Sequence, residues 1–359
     1  MPYNKDLPFD DIPLLYPQRG QWETIAILNK LAEARAALGE LKGRVPIIPN
    51  PVMLINTLVL QEAKDSSTIE NIITTNDKLY KAFSSGAAPA DPPAKEVLRY
   101  REALWSAFKS INNPEDFNEE MVISIFRALT ERDERVRIGQ VRLRGGGVTV
   151  YTPPAPGAVL TEKLNNWFEA AHTAENIDPL IKMALLHYQF EAIHPFSDGN
   201  GRTGRILNVL YLCQQGLLDE PVLYLSKFIL DNKTQYYSAL RRVTENQTWE
   251  EWILYMLEAV RSTAILTLEK VNAIYENYMT TIEKVKLQAP KVYSRELIEA
   301  IFNQPYCKIK TLIDLGIAAR NTASKHLKKL EELGILRSED VGKETIYINI
   351  ELINILSNN

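Results

Sequence analysis

Residues 191–205 read EAIHPFSDGNGRTGR, from Glu191 to Arg205, and the rest of the chain is best read outward from this run. Its glycines Gly199, Gly201 and Gly204 fit the GxGxxG spelling of a dinucleotide loop, but that loop needs a β-strand directly upstream. Upstream lies Ile181–Ile193, with Met183, Leu186, Phe190 and Ile193 at helical spacing. A calcium loop starting at Asp198 needs glutamate eleven residues on, where Val209 stands, and no Gly-Lys-Ser/Thr of a Walker A loop follows. What remains is a glycine-rich loop between two helices.

Such a loop has a direct chemical reading. Gly199, Asn200 and Gly201 allow successive N–H groups to converge at the start of the helix beginning near Arg202, which makes an anion cradle. Arg202 and Arg205, on the first helical turn, both reach toward what the cradle holds, and two arginines indicate more than one phosphate. Asp198 offers a hard carboxylate suited to Mg²⁺, and His194 is the one group of the run suited to accepting a proton near neutrality. The run describes a polyphosphate site with its own base.

Around it the chain is mostly helical. Amphipathic spacing predicts helices at about Trp22–Leu41, Ala94–Ile111, Asn118–Arg132, Val159–Ala174, Ile181–Ile193, Arg202–Gln215, Lys227–Val243 and Thr248–Val271, with a link at Arg44–Pro51 and a loop at Ser84–Pro93. Gly139–Tyr151, GQVRLRGGGVTVY, breaks the pattern with a hairpin-like alternation. It reads either as a surface hairpin or as a flap whose edge docks an extended peptide.

Upstream, Ser66–Asn71 reads SSTIEN; Ser67 followed by Glu70 is also the spelling of a capping box for a helix running toward Phe83. After residue 288 three short helices, Ser294–Phe302, Lys310–Leu315 and Thr322–Leu333, precede two strand-like pieces, Ile335–Arg337 and Thr345–Ile350, the layout of a winged helix-turn-helix. That region has 10 Lys+Arg against 9 Asp+Glu, yet Arg320, Lys325, Lys328 and Lys329 all precede the first acid of its recognition helix, Glu331. The stripe is either a solvated face or a contact for DNA phosphates.

Composition sets the outer bounds. At roughly 150 residues per domain, 359 residues suggest about two to three units. The balance of 41 Lys+Arg against 45 Asp+Glu, a net −4, excludes a general polycation, and 45% hydrophobic with 24% charged residues excludes general disorder. Cys213 and Cys307 make neither a disulfide framework nor a four-ligand zinc site. The start, MPYNKDLPFDDIPLL, lacks the form of a secretory signal, and no apolar run reaches the ~18–20 residues of a membrane helix, so a cytoplasmic protein without membrane partners is expected.

HPFSDGNGRTGR matches the Fic family signature HxFx(D/E)GNGRxxR at every defined position, and the resemblance extends over roughly Pro51–Val271. It implies a mainly α fold with a Fic-type helical core and a short β-hairpin flap, beside the C-terminal α+β winged helix. It also implies AMP transfer from ATP, with Mg²⁺ or Mn²⁺, to a Ser, Thr or Tyr hydroxyl of a target protein or of the chain itself. By likeness His194 is the base, Phe196 the apolar anchor and Asp198 the metal ligand; Gly199, Asn200, Gly201, Arg202, Thr203, Gly204 and Arg205 hold the phosphates. Val148, Thr149, Val150 and Tyr151 of the flap line the nucleotide, and the target hydroxyl arrives in an extended segment at the flap. Tyr236 and Tyr237 match a tyrosine pair near adenine and ribose, and Thr244 stands where the family more often has asparagine. A kinase-type relative has lysine in place of Gly201. Ser66, Glu70 and Asn71 fit the inhibitory motif (S/T)xxxE(G/N), which implies autoinhibition through a Glu70–Arg205 pair, and in some relatives the same glutamate supports AMP removal.

The expected organisation is residues 1–94 as an N-terminal helical region containing the inhibitory motif 66–71, and 95–271 as the Fic domain with signature 194–205 and flap 139–151. A helical connector, 272–287, then leads to the winged helix at 288–359. A homodimer is expected from the family. A different class, a DNA-binding regulator whose Fic domain senses nucleotide with little transfer, remains open.

Overall fold

The computed structural model describes residues 3–48, 51–85, 91–111, 113–173, 176–341 and 344–357, and the backbone alone of 51–55, 84, 85 and 114. Of the loop expected at Ser84–Pro93, residues 86–90 lie outside the described residues, as does Ala174 at the end of a predicted helix. The fold is mainly helical with two small antiparallel sheets.

In chain order the first helices are α1 (Ile25–Arg44), α2 (Pro51–Ile69), α3 (Asn76–Ser85), α4 (Pro92–Ser110) and α5 (Glu119–Thr130), followed by the hairpin β1 (Leu143–Gly145) and β2 (Val148–Tyr151). Then come α6 (Ala158–His172), α7 (Pro179–Ile193), α8 (Asn200–Gln214), α9 (Leu225–Asp231), α10 (Lys233–Asn246) and α11 (Trp249–Gln288). The last part comprises α12 (Arg295–Phe302), β3 (Tyr306–Lys308), α13 (Ile309–Asp314), α14 (Arg320–Glu332), β4 (Leu336–Val341), β5 (Glu344–Asn349) and α15 (Ile350–Ser357).

Local chemistry sets several of these boundaries. Asp91 and Asp178 cap α4 and α7 through their side chains, each with proline in the first turn. Gly146 and Gly147, both at positive φ, make the two-residue turn between β1 and β2. The single helix expected over Lys227–Val243 is two, α9 and α10, because Asn232 leaves helical geometry and its side chain bonds back to the Phe228 carbonyl. Conversely, the expected connector 272–287 is the C-terminal part of α11, one helix of 40 residues.

The capping-box alternative at Ser67 does not hold. Ser67 lies in the last turn of α2, and the Ile72 and Asn71 amides bond back to the Ser67 and Thr68 carbonyls, with Asn71 at φ 65°. This is a Schellman stop, in which a left-handed residue ends a helix. The asparagine is there for its backbone, and the turn throws Glu70 off the helix end.

α7 is buried on every side, as a central helix must be, and it carries His194 at its C-terminal end. α1 lies along α11, while α6, α8 and α11 pack on α7. The C-terminal sheet has the order β3–β5–β4, with β3 and α15 not expected from the sequence pattern. It meets α3 directly: Tyr80 stacks on Tyr306 at 5.8 Å, the Tyr306 hydroxyl donates to Asp77 at 2.8 Å and Lys81 pairs with Glu339 at 2.6 Å.

Trp252 of α11 is fully buried and donates from its indole to the Ala184 carbonyl of α7 at 2.7 Å. Trp252→Ala is expected to lower unfolding stability by about 3–5 kcal/mol in urea titration, and a loss below about 1 kcal/mol would show that this contact does not hold the two helices together.

Candidate functional site

The loop between α7 and α8 is built by its own side chains. His194 ends α7 in the left-handed conformation (φ 50°, ψ 61°), a geometry that histidine tolerates better than most residues, and Pro195 prevents the helix from continuing. Phe196 is buried and stacks on Phe126 at 4.1 Å, anchoring the loop to α5. The Asn200 side chain spans the turn, accepting from the Phe196 amide at 2.8 Å and donating to the Phe196 carbonyl at 2.9 Å. What Asn200 offers an anion is therefore its backbone N–H.

Gly199, at φ 71°, is the N-cap of α8, and Thr203 closes the first turn through its amide and hydroxyl on the Gly199 carbonyl. The first amides of a helix, here those of Asn200, Gly201 and Arg202, have no acceptor within it. They form the positive end of the helix dipole. A Cβ on Gly201 would lie 2.7 Å from Glu70 Oε1 and 2.9 Å from Arg205 Nη1, so a carboxylate of the chain itself sits over the cradle. Gly204 is fixed by packing, since a Cβ there would stand 2.8 Å from Glu191 Oε1 and 3.2 Å from Phe190.

Glu70 joins both arginines of the signature. Its Oε1 accepts from Arg205 Nη2 at 2.7 Å and its Oε2 from Arg202 Nε at 2.9 Å. The sequence reading paired it with Arg205 alone. Arg205 also donates to the Ser66 hydroxyl at 2.8 Å and carbonyl at 2.9 Å, and Arg202 Nη1 donates to Glu96 at 2.9 Å. Both guanidinium groups are almost wholly buried, at 2% and 4% side-chain exposure, and charges in such places require partners. Near Arg205 lie two acids, Glu62 buried and Glu191 half-buried: burial pushes the Glu62 carboxyl up to about 7 despite Ser226, and the Glu191 carboxyl to about 7 despite Arg205.

The remaining expected residues divide. Asp198 is exposed at the rim, with Oδ1 accepting from the Gly199 amide. Tyr237 is 49% exposed, but Tyr236 is buried, packs on Trp252 and is bonded to His187 at 2.9 Å. Its ring is part of the core. Thr244 is bonded to the Tyr188 hydroxyl at 3.0 Å. On the flap, Val148 and Val150 are exposed, Thr149 is partly so, and Tyr151 turns inward to donate to the Ala192 carbonyl. A groove of about 510 Å³, lined by residues 134–141 and Ser197, runs beside the flap. On α14, Arg320, Lys325 and Lys328 are exposed and Lys329 pairs with Glu332, remote in sequence from the loop.

Two residues of this site were not found in the sequence. Arg137 is buried and donates to the carbonyls of His194 at 2.8 Å, Pro154 at 2.6 Å and Gly139 at 3.2 Å, tying His194 to both ends of the flap. It is one of five arginines between 132 and 144, and no local signal separates it from the others. Glu96 lies in the second turn of an ordinary-looking helix.

One carboxylate at the rim of an anion cradle suits magnesium, which is held by one or two carboxylates together with substrate phosphates. No cluster of three or more His, Cys, Asp or Glu capable of holding a metal occurs among the described residues.

Burial lowers the His194 imidazole to about 4, against the opposing pull of the Glu191 carbonyl, and lowers His187 to about 3. Both are neutral at pH 7, as a base must be. With folded values below the unfolded ones, each contributes stability that is present above about pH 6.5 and is lost as pH falls toward 4 or 3. Glu62 and Glu191, raised to about 7, act oppositely between about 4.5 and 7, so a melting curve mixes the two effects. An NMR titration separates them: the His194 and His187 ring resonances should stay constant from pH 8 to 5.5, and a midpoint near 6.5 for either would refute its enclosure.

A profile of the Fic/DOC family matches residues 116–212, one of the Fic/DOC family N-terminal region matches 28–109, and one described as protein adenylyltransferase SoFic-like, C-terminal domain, matches 278–352. The chain is 26% identical over 183 residues to a protein adenylyltransferase Fic of Drosophila willistoni, covering 48% of this chain and 35% of that protein. It is 30% identical over 158 residues to protein adenylyltransferase fic-1 of Caenorhabditis briggsae, covering 41% and 30%. It thus spans about a third of the length of these relatives. The crystal structure of a Fic family protein from Desulfovibrio desulfuricans shares the fold, with TM-score 0.59 at 21% identity over 94% of this chain and 98% of that one. Three profiles over successive stretches, a complete signature loop and a shared fold converge: the chain belongs to the Fic/DOC family.

Proposed function

We propose that this protein transfers AMP from ATP to a hydroxyl of a protein target, and that Glu70 holds the transfer in check. The observation that supports this reading most is the Glu70 carboxylate lying over Gly201 and shared by Arg202 and Arg205, a carboxylate where a polyphosphate would find its donors. The relatives named protein adenylyltransferase point to the same reaction.

In this reading ATP lays its phosphates on the amides of Asn200, Gly201 and Arg202, with Arg202 and Arg205 on the outer ones. His194, neutral, takes the proton of a Ser, Thr or Tyr hydroxyl. That oxygen bonds to the α-phosphorus, the bond from the α-phosphorus to the α–β bridging oxygen breaks, and pyrophosphate leaves. Magnesium held by Asp198 would supply positive charge to the phosphates. Arg137 fixes the His194 carbonyl and the flap, so base and target segment share one frame. The target lies along β2 and the adjoining groove as an added strand. The 272–287 stretch joins this unit to a C-terminal one that we read as a winged helix.

Glu70 and the outer phosphates compete for the same two arginines, so ATP binds in an unreactive pose or poorly while Glu70 is in place. Glu70→Gly should raise incorporation of label from α-³²P-ATP at least tenfold, read as AMP addition by intact mass, and an unchanged rate would remove the brake. In that background His194→Ala should lose on the order of 10²–10⁴-fold. Label from γ-³²P-ATP instead would indicate a kinase. The exposed Arg320, Lys325 and Lys328 on α14 favour a second reading, a DNA-binding regulator. No label in Glu70→Gly, together with salt-sensitive DNA binding, would select it.

A further inference from the structure

We infer that Glu96 is a positioning residue for Arg202: it aims that arginine at the outer phosphates of ATP and stays in place when Glu70 is displaced. The inference rests on the reading of Arg202 as a phosphate ligand and adds a residue outside the signature and the inhibitory segment.

The two glutamates on Arg202 are not equivalent. Glu70 takes Nε, and its other oxygen lies over Gly201 inside the cradle. Glu96 comes from α4, takes Nη1 at 2.9 Å and contacts the other side of the guanidinium. The remaining nitrogen, Nη2, lies 3.8 Å from where a Cβ on Gly199 would stand, so it faces the start of the cradle. Arg205 has a parallel arrangement: Ser66 holds Nε and Nη2, and Nη1 faces Gly201. Each arginine thus has a partner besides Glu70 and turns a further nitrogen toward the cradle. Ser66 grips Arg205, and Glu96 grips Arg202.

A guanidinium is a planar fork, and fixing one edge in a charge-assisted hydrogen bond fixes the direction of the others. Once Glu70 leaves, Glu96 is the side-chain partner that the Arg202 guanidinium retains among the described residues. α4 is a good place for the anchor: its first turn is set by the Asp91 cap and Pro92, and it packs on α2, α5 and α8. Glu96 is 35% exposed on its side chain, so its own desolvation is modest.

Direct ATP binding by calorimetry, in a Glu70→Gly, His194→Ala background that prevents turnover, tests this without depending on activity. Adding Glu96→Gln should weaken ATP about tenfold and leave AMP, which has no outer phosphates, within twofold. Glu96→Asp, which keeps the charge, should recover most of the ATP affinity, while a misfolded site would lose AMP as well. Equal ATP affinity with and without Glu96, or equal losses for ATP and AMP, would overturn the assignment. So would tighter ATP binding by Glu96→Gln in the otherwise unaltered protein, which would make Glu96 a second brake. Absence of AMP transfer from every active-background variant, with the ATP difference intact, would sink the transferase reading alone.

Discussion

Two arginine side chains, buried within one helical turn of each other at the start of α8, cannot stand without anions. Arg202 and Arg205 retain only a few per cent of their exposure, and they stand near the positive end of the helix dipole. At a few ångströms and low effective dielectric, their mutual repulsion and desolvation are both costly. The chain answers with Glu70 between them and Glu96 on the far side of Arg202, two negative charges for two positive ones. Glu62 and Glu191, nearby, are pushed toward the neutral form and so do not oversupply charge.

This requirement connects parts of the fold that otherwise have little in common. α2 must stop at Ile69 for Glu70 to leave the helix axis, and Asn71 makes that stop by adopting positive φ. α3 follows α2 after six residues and is fastened to the C-terminal sheet through Tyr80, Asp77 and Lys81. α4 delivers Glu96, and α7 ends where His194 can be tied by Arg137 to the flap. The helices are ordinary, and what is specific is where each one ends.

How much of this was legible in the sequence depends on the range over which each residue acts. The loop Glu191–Arg205 could be read because cradle, arginines, rim carboxylate and base are adjacent, so spacing alone brings them together. Glu70 could be matched to its motif, but its local spelling suited a helix start as well as a helix stop. S-x-x-E states which side chains are near one another and not on which side the helix lies, and only the backbone reversal at Asn71 decides it. Tyr236 and Tyr237 match a tyrosine pair of the family, yet successive helical residues point about 100° apart, and burial separates them. Arg137 and Glu96 have no local signature, since their partners are 57 and 106 residues away.

The same charge logic makes the resting state and the competent state two solutions of one problem. Removing an anion from a buried ion cluster normally destabilises a protein, because the partner cation is left unpaired. A site that binds polyphosphate through buried arginines is therefore least stable when empty of any anion, and the most economical internal stand-in is a carboxylate that can be displaced. Glu70 fits that description better than Glu96, because it is borne on the end of a helix and lies over the glycine where the ligand would press. Glu96 sits within a helix and away from the cradle, so it has no reason to move when phosphate arrives. On the proposed reading one glutamate is placed to be exchanged and the other to remain, and their difference in position, rather than in residue type, distinguishes the brake proposed for Glu70 from the alignment proposed for Glu96.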